Sequence, residues 1–149
     1  MADCGARRSI WFVVFPGFEL LDLGGPLCAF NLAVEFHEAR YDVRVVSAKG
    51  GMVAGSSGVS IDTIEASANG HVDTLMVVGA PTMAVLDGQA ETAAFIREAA
   101  SRARRKASVC TGAFLLASAG LLDGCRVTTH WRYAGELQRR HKALRVDAD

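Results

Sequence analysis

Lys106–Trp131, KASVCTGAFLLASAGLLDGCRVTTHW, is the stretch on which the reading of this chain turns. It opens with a short apolar run, Ala107–Val109, that stops at Cys110. Thr111 and Gly112 follow, then an Ala/Leu-rich segment of helical character, Ala113–Ala119. Gly120 and Gly124 punctuate its end before a second short run, Arg126–Thr129, leads to His130 and Trp131. The order is strand, tight turn, helix, loop, strand, with the cysteine at the strand-to-helix turn.

A thiol is nucleophilic only as a thiolate, and the unpaired N–H groups at a helix N-terminus favour that anion. Gly112 lets strand and helix approach closely, as in the nucleophile elbow that holds a reactive atom on a strained turn. The competing reading makes Cys110 a buried apolar filler, because free cysteine is among the most buried residue types.

Working outward, Ser9–Phe15 (SIWFVVF) is a nearly continuous apolar run stopped by Pro16-Gly17, as expected of a central parallel strand buried on both faces. PGFELLDLGGP reads as a Gly/Pro-rich loop, followed by a helix over Pro26–Glu38 with Leu27, Phe30, Val34 and His37 at helical spacing. Tyr41–Ser47 and Asp73–Gly79 read as further strands, and Lys49–Thr63 as a small hairpin outside the main sheet. Its GSSG lacks the lysine and glycine spacing of a phosphate loop. Glu91–Lys106 reads as a helix with a basic C-terminal end, RARRK, and Arg132–Lys142 as a polar helix before a short run, Leu144–Val146. Strands alternating with helices predict a three-layer α/β/α sandwich with a mainly parallel, flavodoxin-like sheet, as one domain over residues 1–149. The loops after three strands (Pro16–Pro26, Gly79–Pro81, Cys110–Gly112) should then converge at the carboxyl ends of those strands.

Half of the 149 residues are hydrophobic, enough for one core, and 16 basic residues balance 16 acidic ones. No global basic field argues for nucleic acid. The four cysteines, Cys4, Cys28, Cys110 and Cys125, have no metal-ligand spacing, so no metal and no cofactor is expected. Cys28 reads as a core residue, Cys125 as a turn residue, and Cys4 as part of a frayed tail. No apolar run suits a membrane span, no signal-peptide pattern stands out, and the default is a cytoplasmic protein with reduced thiols.

SVCTGAFLLASAGLLDGCRVTTHW, with FPGFELLDLGGP and VVGAP before it, resembles the ThiJ/PfpI branch of the class I glutamine amidotransferase-like superfamily. CTGAFLLASAGLLDG, TTHW with RYAGELQRR, and the RVDAD ending resemble more narrowly the N-terminal domain of AraC-type transcriptional regulators of the GlxA/FtrA kind. The resemblance runs from about Ile10 to the last residue. It implies that Cys110 is the elbow cysteine, that Asp22 hydrogen-bonds its thiol as a protonated acid, and that the N–H groups of Gly79 and Thr111 form an oxyanion-type hole. An N-terminal helix cap is the alternative for Asp22. Glu19, Gly79, Ala80, Cys110 and Thr111 are the candidate ligand-binding residues, and Cys110, Asp22 and Thr111 the candidate catalytic ones, vestigial in a regulator.

One departure matters. Peptidase-like members place histidine directly after the cysteine, and here Thr111 stands there, so the usual general base is missing. His130 could be imagined as a substitute, and beside Trp131 it reads rather as structural; His37 and His71 read as a helix-surface and a loop residue with no partners in view, and His141 lies in a basic, solvated stretch. The resemblance therefore implies a ligand-sensing and dimerisation domain: a homodimer with a small-molecule effector near Cys110. DNA would be met only through a C-terminal helix-turn-helix domain not in this chain, and the fold is expected to be truncated at its C-terminus. Cys110–Thr111 with Asp22 also resembles isocyanide hydratases, hydro-lyases that convert an isocyanide and water to an N-formamide. A redox-responsive cysteine oxidised to the sulfinic acid is a third reading.

Overall fold

The computed structural model describes residues 7–37, 40–65 and 70–147. Cys4 and the last two residues of RVDAD lie outside the described residues. The SIWFVVF run forms strand β1, Arg8–Val13, whose residues from Ser9 onward are buried. It is flanked on both sides by parallel partners: β2 (Tyr41–Ser47) and β5 (Thr74–Val77). With β3 (Gly51–Ala54), β4 (Ser60–Glu65) and β6 (Arg105–Ser108) they make one six-stranded sheet in the order β3-β4-β2-β1-β5-β6. Helix α1, Leu20–His37, carries the chain from β1 to β2, and α2 (Met83–Asp87) with α3 (Ala90–Ala100) carries it from β5 to β6. The two crossovers advance in opposite directions from β1. Right-handed connections then put their helices on opposite faces of the sheet, giving the three layers.

On the α1 side, the Phe30 ring meets Phe12 edge-on at 5.9 Å and Tyr41 at 5.1 Å. Helix α4, Ala113–Ser118, is buried over Ala113–Ala117 behind Cys110. A two-residue parallel pair, β7 (Arg126–Val127) with β8 (Arg145–Val146), brackets helix α5, Ala134–Arg140. Arg140 ties α5 to α2 through Asp87 and to its own first turn through Glu136.

Four expectations need correction. Lys49–Thr63 is not outside the main sheet: β3 and β4 pair antiparallel, and β4 joins β2 in parallel at Val46–Ile64 and Ser47–Glu65. The β2 edge is thereby covered, and the hydroxyls of Ser47 and Thr63 bond at 2.7 Å across it. LDLGGP is not loop but the first turns of α1. Burial of Leu23, with Leu27 and Phe30 packed on the core, outweighs helix penalties of roughly 1 kcal/mol per glycine and 3 for proline. Arg105 and Lys106 do not end a helix; they open β6, an edge strand on which exposed charges block further pairing. Cys28 is exposed on α1 and not in the core, because the sheet takes the face bearing Leu23, Leu27 and Phe30.

Candidate functional site

The chain leaves β1 toward β2 and later returns to the opposite side of β1 as β5, so the switch point of the sheet lies between β1 and β5. Ligand sites of such sheets lie there, outside the carboxyl ends of the strands. The loops after β1, β5 and β6 do converge at it. Glu19 N–H donates to the Gly79 carbonyl at 2.9 Å, and the Thr111 hydroxyl bonds Ala80 twice, accepting from its N–H and donating to its C=O at 2.8 Å each.

Cys110 is the elbow. Its φ of +54° is the only positive value on a non-glycine residue among the described residues. Such a backbone costs about 1–3 kcal/mol and persists only where its surroundings over-determine it. They do so here. Val109 N–H bonds the Val77 carbonyl, Gly112 N–H bonds the Val109 carbonyl, and the Thr129 hydroxyl donates to the Cys110 carbonyl at 2.8 Å. A Cβ on Gly112 would lie 2.3 Å from the Val77 carbonyl oxygen, so only glycine lets this turn sit against β5.

Asp22 projects from the first turns of α1 to the same point, where its carboxyl meets the Cys110 thiol and the Gly79 N–H. Its Oδ2 is buried without a satisfied partner. A Cβ on Gly79 would lie 2.6 Å from that oxygen, 2.6 Å from Thr111 Oγ1 and 2.9 Å from Thr111 N. Burial raises the Asp22 carboxyl above its ordinary value, and the nearby Glu19 charge adds to this. The bonds to Cys110 and Gly79 and the His130 charge oppose it.

The thiol is pushed up too, first by burial and then by Asp22, against stabilisation by the Thr111 N–H. The expected thiolate-favouring helix end is weak, because Cys110–Gly112 is a single 3-10 turn and α4 behind it has only 6 residues. The Thr111 hydroxyl donates to the Ala80 carbonyl, and its side chain beside the sulfur lowers the thiol by less than burial and Asp22 raise it. The backbone N–H groups of Gly79 and Thr111, the expected oxyanion donors, lie beside the carboxyl and the thiol and lower the pKa of Asp22 and of Cys110 respectively. Ala80 is 2 % exposed with its N–H and C=O both bonded to the Thr111 hydroxyl, so it braces the site.

His130 Nδ1 accepts the Arg132 N–H at 3.1 Å, and its ring stacks on Trp131 at 5.4 Å. It is fixed as part of a turn, and its charge reaches the site only through Asp22. The turn spans the cleft, from the Thr129 bond to Cys110 to the Tyr133 hydroxyl donating to the Pro81 carbonyl at 3.4 Å. Thr129 and Ser56, which donates to Glu19, escape sequence reasoning because each reaches its partner over 19 or more residues. His71 is exposed, and Cys125 stands in an exposed turn as expected. Among the described residues no three His, Cys, Asp or Glu side chains gather as a metal site, and no helix is long and apolar enough to cross a membrane.

Residues 8–147, strand β1 through strand β8, match the DJ-1/PfpI family. The chain belongs to that family. It is 45% identical over 138 residues to an uncharacterized protein in the cpoL 5' region of Streptomyces lividans, covering 91% of this chain and 96% of that one. It is 31% identical to the HTH-type transcriptional regulator CdhR of Pseudomonas aeruginosa, covering 93% of this chain and 41% of the regulator. It is 35% identical to the isonitrile hydratase of Pseudomonas putida, covering 84% and 53%. The crystal structure of a ThiJ/PfpI family protein from Pseudomonas syringae superposes with a TM-score of 0.78 at 27% identity, over 99% of this chain and 64% of that one. The chain thus spans about half or less of the regulator and of the hydratase.

Proposed function

We propose that this chain is the effector-sensing and dimerisation domain of an AraC-type regulator, with DNA contacted by a helix-turn-helix domain outside it. The observation that carries the reading is the state of the elbow. Its geometry is complete, yet the thiol is raised, no imidazole is bonded to it, and Thr111 stands where a base would be. Such a site is suited to holding a small molecule more than to turning it over. Similarity to CdhR over nearly the whole of this chain supports it. The homodimer is supported by α1, where Leu21, Leu32 and Phe36 are exposed on a helix without lysine or arginine. A surface that apolar calls for a cover, and a second copy of the same helix offers a matching apolar face. A cytoplasmic location goes with this role.

The second reading, an isocyanide hydratase, is favoured by the Asp22–Cys110 contact. A protonated carboxyl beside a thiol supplies both the nucleophile and the proton that addition to the isocyanide carbon requires. The 35% identity to an isonitrile hydratase points the same way. The two separate in one assay, N-formamide formation from cyclohexyl isocyanide by wild type, Cys110→Ser and Asp22→Asn. The sensing reading expects no turnover above the variants. Cysteine-dependent turnover establishes the enzyme instead.

A further inference from the structure

The turn between β3 and β4 is docked on the loop that leads into α1. Gly17 N–H bonds the Ala54 carbonyl at 2.8 Å, and Ser56 N–H bonds the Phe18 carbonyl at 2.9 Å. A Cβ on Gly55 would lie 3.2 Å from the Phe18 ring and from its carbonyl oxygen, so the two segments meet with no slack. At the tip of this contact the Ser56 hydroxyl donates to Glu19 Oε2 at 3.3 Å, while the Glu19 N–H is held by the Gly79 carbonyl at 2.9 Å. Glu19 is therefore pinned from both sides, one turn before Asp22 and bonded to the Gly79 that stands against Asp22 and Thr111. Among the charged groups that act on Asp22, Glu19 is the anion and His130, when protonated, the cation. Asp22 itself is neutral when it carries the proton that its buried oxygen calls for, and Arg132 lies on the exposed turn beyond His130.

We propose that Glu19, held in place by Ser56 of the β3–β4 turn, is the charge-selecting residue of the Cys110 cleft, which admits cationic or neutral small molecules and disfavours anions. The proposal rests on the reading that a small molecule reaches Cys110. It also assigns work to the hairpin, which besides covering the edge of β2 supplies the hydroxyl that fixes the charge at the mouth.

The test uses the whole chain and two probes of nearly equal size, neutral iodoacetamide and anionic iodoacetate, with Cys110 labelling followed by peptide mass spectrometry. The measured quantity is the ratio of the iodoacetate rate to the iodoacetamide rate. Changes in thiol ionisation affect both probes and cancel. Glu19→Gln is expected to raise the ratio roughly two- to fivefold at low salt, as for one unit charge acting through a wet cleft mouth, with the gain fading at about 1 M salt. Ser56→Ala, which frees the carboxylate, should give a smaller rise. Cys125 on its exposed turn serves as control and should keep its ratio in both variants. An unchanged ratio at Cys110 in Glu19→Gln overturns the charge-selecting role and leaves the sensing site standing. Failure of both probes to reach Cys110 overturns the role and the accessible site together.

Discussion

Replacing Gly79 with alanine puts a methyl group where three buried groups already meet. The new carbon would stand 2.6 Å from Asp22 Oδ2, 2.6 Å from Thr111 Oγ1 and 2.9 Å from Thr111 N. Non-bonded contacts relax near 3.5 Å, so each oxygen must retreat by roughly 0.9 Å. Thr111 has nowhere to go, because its hydroxyl is tied to both backbone groups of Ala80 and it is 1% exposed. Overpacking of this kind costs about 1–3 kcal/mol, and distorting two buried hydrogen bonds adds about 1 kcal/mol. The expected loss is about 3 kcal/mol, which lowers Tm by roughly 6–12 °C in a domain of this size. Urea unfolding at neutral pH, followed by circular dichroism, reads the loss directly, and an unaltered denaturant slope would show that the native state keeps its compactness. A Gly79→Ala protein within about 0.5 kcal/mol of wild type would refute the argument, for the three loops would then not be locked at this point.

Other expectations follow from the same contacts. Thr111→Val leaves the Ala80 N–H and C=O buried and unpaired, and should cost about 2–4 kcal/mol in urea unfolding, most of it restored by Thr111→Ser. Gly135→Ala in α5 meets nothing within 4 Å and should stabilise by about 0.5–1 kcal/mol in the same assay. Asp73, paired with Arg104, is held at about 2 against an ordinary 3.8, so its contribution is full above the ordinary value and disappears as pH falls toward about 2. Arg104 is 48% exposed, so solvent screens the pair, and Asp73→Asn should only slightly flatten the acid limb of stability against pH. Asp22 runs the other way. Its raised value means that stability is full below the ordinary carboxylate range and is lost as pH rises through the folded-state value. Asp22→Asn should therefore lose least, or gain, at neutral pH, and a Wild-type advantage that grew with pH would contradict the burial of that carboxyl.

Much of the site was legible because its chemistry is local. The Val109–Gly112 turn shows itself by an apolar run ending in a cysteine and a small residue, and the left-handed backbone at Cys110 is what that pattern demands. Asp22 and Gly79 came from the resemblance, and the fold brings Gly79 against Asp22 and Thr111, which the residue order alone does not show. Ala80 was expected in the ligand set with the Gly79–Pro81 loop, and only the structure shows that its N–H and C=O both bond Thr111.

The sequence by itself determined the alternation of strands and helices, the burial of β1, and the identity of the elbow cysteine, because these depend on residue periodicity and on neighbours in the chain. Tertiary structure alone decided the rest. It made a helix of LDLGGP, since burying Leu23 and Leu27 repays glycine and proline penalties that no local reading can offset. It enlisted β3 and β4 in the sheet, since an edge strand is paired only when another segment reaches it. It also pushed the thiol up, because burial and a neighbouring carboxyl outweigh a short helix end, and both come from residues far apart in the chain.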